Sequence, residues 1–124
     1  MPGQALVHVH EFPSSGYRLA PPTGRPALSW EQAIRTGTVR GYFRSGQPPE
    51  VRLADFSRRF HDPVRRALVW VAVDPEHPEL RIGGPDFGPG YAGDPGRCPL
   101  YVVVDATSGR GYGAWQTCDP PYRG

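Results

Sequence analysis

Apolar and polar positions change their period several times along the chain, and each change predicts an element. Ala5 to Phe12 reads as one extended piece, in which Val7 and Val9 alternate with His8 and His10, so that both imidazoles project from one solvated face of an edge strand. Pro13, Pro21, Pro22 and Pro26 then break any long helix. Residues 1–28 are therefore expected to be an extended arm and linker, partly disordered, ahead of the domain proper. Ser29 opens a helix: its hydroxyl can cap the first turn while Gln32 reaches back to the cap amide, and Trp30, Ala33 and Ile34 form one apolar stripe. Gly37 supplies a left-handed stop. A helix of about two turns is not stable alone, so its stripe must dock on a sheet, with Trp30 as its principal core residue.

Thr38 to Arg44 alternates as a strand with one face buried, and Ser45 to Pro49 reads as a turn. Beyond Glu50 the pattern divides. Val51 and Leu53 favour a strand to about Ala54, whereas Leu53, Phe56 and Phe60 have helical spacing and predict an irregular or helical turn. Ala67 to Val73 and Leu100 to Val104 are apolar on both faces, which marks them as central strands. Thr107 to Arg110 makes a tight turn into Tyr112 to Thr117, an outer strand that completes a hairpin. Between the central strands, Asp74 to Pro99 holds six prolines and six glycines in 26 residues. A loop longer than about 15 residues is usually functional or disordered, which makes this segment the main anomaly of the chain.

Composition narrows the class. The 124 residues suit one domain, and sixteen glycines with sixteen prolines describe a folded but loop-rich one. No apolar run approaches the length of a membrane span, and a net charge of +2 gives no reason to expect nucleic acid as a partner. All fourteen basic residues are arginine. Arg58, Arg59, Arg65 and Arg66 cluster locally without the interleaved aromatic residues of a nucleic-acid platform, and read as a solvated face. Met1 to Leu6 lacks the basic and apolar regions of a secretory signal. Cys98 and Cys118 have no zinc-site spacing. A disulfide is the better reading, since both lie ten residues from Ser108 and so face each other across the hairpin; it favours an extracellular or cell-envelope location, with any signal peptide removed ahead of Met1.

Three pieces of the chain resemble the PepSY domain of exported bacterial proteins and its actinobacterial relatives. Ser29, Trp30, Glu31, Gln32, Ala33 and Ile34 are similar to its capped helix, and Leu68 to Val73 to its middle strand. Tyr101 to Gly109 is similar to its closing strand and turn. The resemblance implies a helix packed on a curved antiparallel sheet outside the membrane, a role in protein interaction or peptidase inhibition, and no catalytic residues. The Asp74 to Pro99 insertion and both cysteines depart from the family pattern.

Chemistry-bearing residues are sparse. No GxSxG or phosphate-loop motif occurs, and with no lysine a P-loop cannot be completed. Asp86 and Asp94 lack calcium-loop spacing, so no metal or other cofactor is expected. His61 and Asp62 suit turn duty, and the Asp105 carboxylate suits organising the turn that follows it. The expected architecture is α+β: a four- or five-stranded antiparallel sheet with one short helix, over residues 29–118, and a tail at 119–124. The expected function is a non-enzymatic exported module that binds a partner protein through Arg81, Asp86, Phe87 and Tyr91 of the long loop, prolines limiting the entropy of its ordering and aromatic rings supplying anchors. The competing readings are a small hydrolase built from His61, Asp86 and Asp94, and a small-molecule-binding domain of cystatin-like shape. A polar cavity between helix and sheet would favour either competitor.

Overall fold

The computed structural model describes residues 3–13, 15–35, 49–78 and 97–117. Among these residues there are seven strands and one helix: β1 (Gln4–Ala5), β2 (His10–Phe12), β3 (Tyr17–Ala20), α1 (Trp30–Ile34), β4 (Glu50–Arg58), β5 (Val64–Pro78), β6 (Arg97–Asp105) and β7 (Gly111–Gln116). All strands join one sheet in the order β2-β3-β4-β5-β6-β7, with every neighbouring pair antiparallel. β1 lies parallel to β4 and pairs with Arg52 and Leu53, while β3 pairs with Asp55 to Arg58 along the same edge.

Strand alternation divides the side chains into two apolar layers. Phe12, Leu19, Ala54, Phe56, Val69, Val71, Val73, Tyr101 and Val103 fill the concave face. Val51, Leu53, Trp70, Ala72, Val102 and Val104 fill the convex face, against Ala33 of the helix. β5 and β6 supply both layers, which is why their sequences carry no polar alternation. The sheet curls into a half-barrel, the expected consequence of strand twist accumulated over this many strands. Its two end strands meet through side chains: the Phe12 ring of β2 lies 5.3 Å from the Trp115 ring of β7.

The convex face is closed by residues 21–35. Ala27 and Leu28 both donate their amides to the Ala106 carbonyl, and the Trp70 indole donates to the Leu28 carbonyl at 2.8 Å. Thr23 donates its hydroxyl to the buried Asp55 carboxylate at 2.7 Å. The capping box forms as expected, with Ser29 Oγ accepting from the Gln32 amide and Gln32 Oε1 accepting from the Ser29 amide.

Several expectations are corrected. The sheet has seven strands among the described residues where four or five were expected. Residues 4–20 are no arm outside the domain: they supply three strands of the same sheet and bury Leu6, Phe12 and Leu19 in its core. Pro13, Pro21, Pro22 and Pro26 fall outside the strands, so they bound the strands and do not disrupt them. Of the two histidines expected to face solvent, His8 is exposed and His10 is not. Pairing with β3 starts at His10, which turns inward at 3% exposure, while Val7 at 69% and Val9 at 49% face outward. β4 continues through Arg58 because Phe56 alternates with Ala54 into the concave core and Asp55 to Arg58 have β3 to pair with. The helical spacing of Leu53, Phe56 and Phe60 is coincidental, Phe60 being 49% exposed. Trp30 is only partly buried, and Ala33 is the fully buried residue of α1. Trp30 instead packs over Gly3, where φ is 87° and a Cβ would stand 2.6 Å from the indole. Gly37 and the Thr38 to Arg44 strand lie outside the described residues.

Candidate functional site

The long loop is anchored by strand pairing that the composition concealed. Among the described residues β4 pairs with β5 as far as Glu50–Val73, and β7 pairs with β6 as far as Leu100–Gln116, the Thr117 amide donating to the Pro99 carbonyl just beyond. Beyond these limits β5 and β6 continue together, with His77 opposite Cys98 and Pro78 opposite Arg97 after a register shift. The loop expected at 74–99 is therefore shorter at both ends. Among the described residues its flanks form a two-stranded ribbon that runs past Glu50 of β4, and the Pro78–Arg97 pair fixes its ends side by side. Pro75 and Pro78 stop donating to the ladder but fit a ribbon whose outer edge has no described partner strand.

Arg81, Asp86, Phe87, Tyr91 and Asp94 lie outside the described residues. Cys98 is buried on β6 and Cys118 lies outside the described residues. His61 and Asp62 both adopt left-handed backbone, with φ of 48° and 57°, in the turn between β4 and β5. That is the turn role their sequence suggested. β5 runs 15 residues, roughly 45 Å of strand, between this turn and the root of the loop. Asp94 is three residues from Arg97, a reach of about 11 Å, and Asp86 is eight from Pro78, a reach of about 28 Å. The length of β5 thus separates His61 from the root of the segment that carries both aspartates.

The helix–sheet interface is filled by Ala33, Val102, Val104 and Ala106, each at most 1% exposed. The concave face is filled by Trp115, stacked 4.4 Å from Tyr17 and 5.2 Å from Tyr101. Among the described residues no three His, Cys, Asp or Glu side chains group to hold a metal, and no helix is long and apolar enough to cross a membrane.

Asp105 organises the β6–β7 turn, as its position implied. Its Oδ1 accepts from the Thr107 and Ser108 amides, and its Oδ2 accepts from the Tyr112 hydroxyl at 2.7 Å. Burial opposes ionisation, but the Tyr112 hydroxyl and the two amides prevail and hold the Asp105 carboxyl below its ordinary range. Burial and the adjacent carboxylate push the Tyr112 hydroxyl up. The Asp105 contribution to stability is therefore present above about pH 4 and lost as pH falls through the depressed value. That of Tyr112 is present below about pH 10 and lost as pH rises through the elevated one. Urea unfolding across pH should show an acid decline in the parent that is shallower in Asp105→Asn; parallel acid limbs would contradict this assignment.

Sequence reasoning missed the Tyr112–Asp105 pair, the central place of Trp115, and a polar cleft beside Ser57. The first follows a seven-residue separation across a turn. The other two depend on sheet curl and on a bulge, neither of which a periodicity reports. No protein-family model, curated protein or solved structure matches this chain.

Proposed function

We propose that this protein is an exported, non-enzymatic interaction module that binds a partner protein through residues 79–96, with Phe87 and Tyr91 as anchors and Arg81 and Asp86 as flanking polar contacts. The observation that carries the reading is the ribbon: among the described residues β5 and β6 extend beyond the pairing of both neighbouring strands and pair at Pro78–Arg97, so residues 79–96 depart from a fixed root at one end of a packed scaffold. Clamping the ends of a proline-rich segment lowers the entropy lost when a partner orders it. The filled interface between helix and sheet supports the module over a cystatin-like ligand binder, which needs a cavity there. The separation of His61 from the loop root supports it over the hydrolase built on His61, Asp86 and Asp94. The resemblance to PepSY domains points to a peptidase as the class of partner, and a Cys98–Cys118 disulfide belongs with export.

The test is affinity capture from the medium and envelope fraction of the native organism, using the parent and the Phe87→Ala, Tyr91→Ala double variant as baits. A partner recovered by the parent and lost by the variant is the expected result, because aromatic anchors dominate interface energies. Equal recovery by both baits would overturn the assignment of the loop.

A further inference from the structure

The opposite end of the half-barrel carries the arginines that the sequence marked as a solvated face, and the sheet register gathers them around one serine. β4 and β5 pair at Phe56–Ala67 and again at Arg58–Val64. Between those pairs β4 has only Ser57 while β5 has both Arg65 and Arg66, the two-against-one arrangement of a β-bulge. On the other side of β4, Ser57 pairs with Arg18 of β3. Arg59 follows two residues later, and its backbone amide donates to the Gly16 carbonyl at 3.0 Å. Ser57, Arg18 and Arg59 line an open cleft of about 180 Å³ together with Glu11 and Tyr17.

The charges here are unequally matched. Five arginines (Arg18, Arg58, Arg59, Arg65, Arg66) face two acids, Glu11 and Asp62, so this end is more positive than the whole chain at +2. Asp105 and Arg110 in the adjacent turn cancel. Arg58 is committed to the Asp62 and Tyr112 carbonyls, and Arg18 to Glu11 at 3.2 Å. Arg65, Arg66 and Arg59 are exposed, and no acidic side chain among the described residues pairs with them. Like charges on adjacent strands repel, so the cluster is held at a cost that an external anion would relieve. Phe60 stands beside it, 49% exposed, with the Arg59 guanidinium 5.6 Å from its ring. Exposed arginine next to an exposed aromatic ring is the composition enriched at protein interfaces.

We propose that this surface docks an acidic segment of a partner protein, with one carboxylate entering the cleft at Ser57 and neighbouring carboxylates pairing with Arg59, Arg65 and Arg66. The cleft is smaller than the roughly 300 Å³ at which small-molecule sites begin, and suits a single side chain. Its guanidinium already holds a carboxylate, that of Glu11. Guanidinium groups bind carboxylates through paired N–H donors, which gives direction as well as charge. A nucleic acid would need a longer basic track with stacking platforms. The length of β5 separates the surface from the root of the loop.

Fluorescence anisotropy with a labelled hexaglutamate peptide tests this. The parent should bind at low salt and weaken as salt rises. Arg65→Ala with Arg66→Ala should raise Kd by about tenfold or more, the scale of losing charged hydrogen bonds. Arg59→Ala, which lies beyond the strand pairing, should weaken binding in the same direction. Arg25→Ala with Arg35→Ala removes the same charge from exposed positions elsewhere and should leave Kd within about twofold, as expected of screened charges. The Phe87→Ala, Tyr91→Ala variant should bind the peptide like the parent. Equal weakening by the two arginine pairs, absence of binding at low salt, or tighter binding of duplex DNA or inorganic phosphate than of the peptide would each overturn the proposal.

Discussion

Trp115→Ala is expected to cost about 3 to 5 kcal/mol of folding stability, as removal of a packed aromatic typically does. Trp115 sits where the curled sheet meets itself. Its ring stacks on Tyr17 of β3 and Tyr101 of β6, meets Phe12 of β2 edge-on at 5.3 Å, and lies 6.2 Å from Phe56 of β4. Four strands therefore lose a common neighbour at once, and partial collapse cannot fill so large a gap without uncurling the sheet. Trp115→Phe separates ring packing from the indole nitrogen. Nε1 is buried with no hydrogen-bond partner among the described residues, so deleting it removes a group that burial penalises. The phenyl ring should retain most of the stability, at a cost below about 1.5 kcal/mol. Urea unfolding measures both. A Trp115→Ala cost under about 1 kcal/mol would mean that the aromatic layer does not hold the half-barrel closed.

The second large effect is expected from reduction of a Cys98–Cys118 disulfide. Observed pairs Leu100–Gln116, Tyr101–Trp115, Val102–Ala114 and Val103–Gly113 are all centred on residue 108, and this register, extended two residues, would set position 118 against Cys98. The Thr117 amide donates to the Pro99 carbonyl at 3.2 Å. A pair one residue beyond it would belong to the non-hydrogen-bonded class, whose closer approach suits a bridge. Cys98 is buried, and no free cysteine occurs among the described residues. Closing a loop of about 20 residues contributes roughly 3 kcal/mol through the unfolded state. At about 3 to 6 °C per kcal/mol for a chain of this size, reduction should lower Tm by about 10 °C or more. Intact mass after alkylation without reductant should show no modified thiol. Two alkylated thiols, or a Tm indifferent to reductant, would contradict the bond.

What the sequence disclosed follows from local physics. The capping box at Ser29 and Gln32, the two-faced strands at Ala67 to Val73 and Leu100 to Val104, and the Asp105 turn each depend on residues close in sequence, and each is present in the structure. The errors lie where distant pairing overrides local pattern. Gln4–Ala5 becomes a strand only because β4 offers it an edge, and His10 turns inward only because β3 sets its register. Asp55 to Arg58 stay extended because β3, built from a segment read as linker, is there to pair with them. For the loop, proline and glycine content hid a ribbon whose existence rests on pairing across 18 or more intervening residues. The arginine cluster was visible as composition, but its gathering around Ser57 depends on a bulge that no spacing rule predicts.

The proposed function rests on a loop that binds and a sheet that does not need it. Thermal melting of the Phe87→Ala, Tyr91→Ala variant tests that division most directly, without knowledge of the partner. Rings held for a partner contribute little to folding, so the variant should melt within about 3 °C of the parent, the range of a surface substitution. Two rings folded onto the sheet would instead each lose several kcal/mol on truncation, and a fall in Tm of about 10 °C or more would make the loop architectural and contradict its assignment as the recognition element.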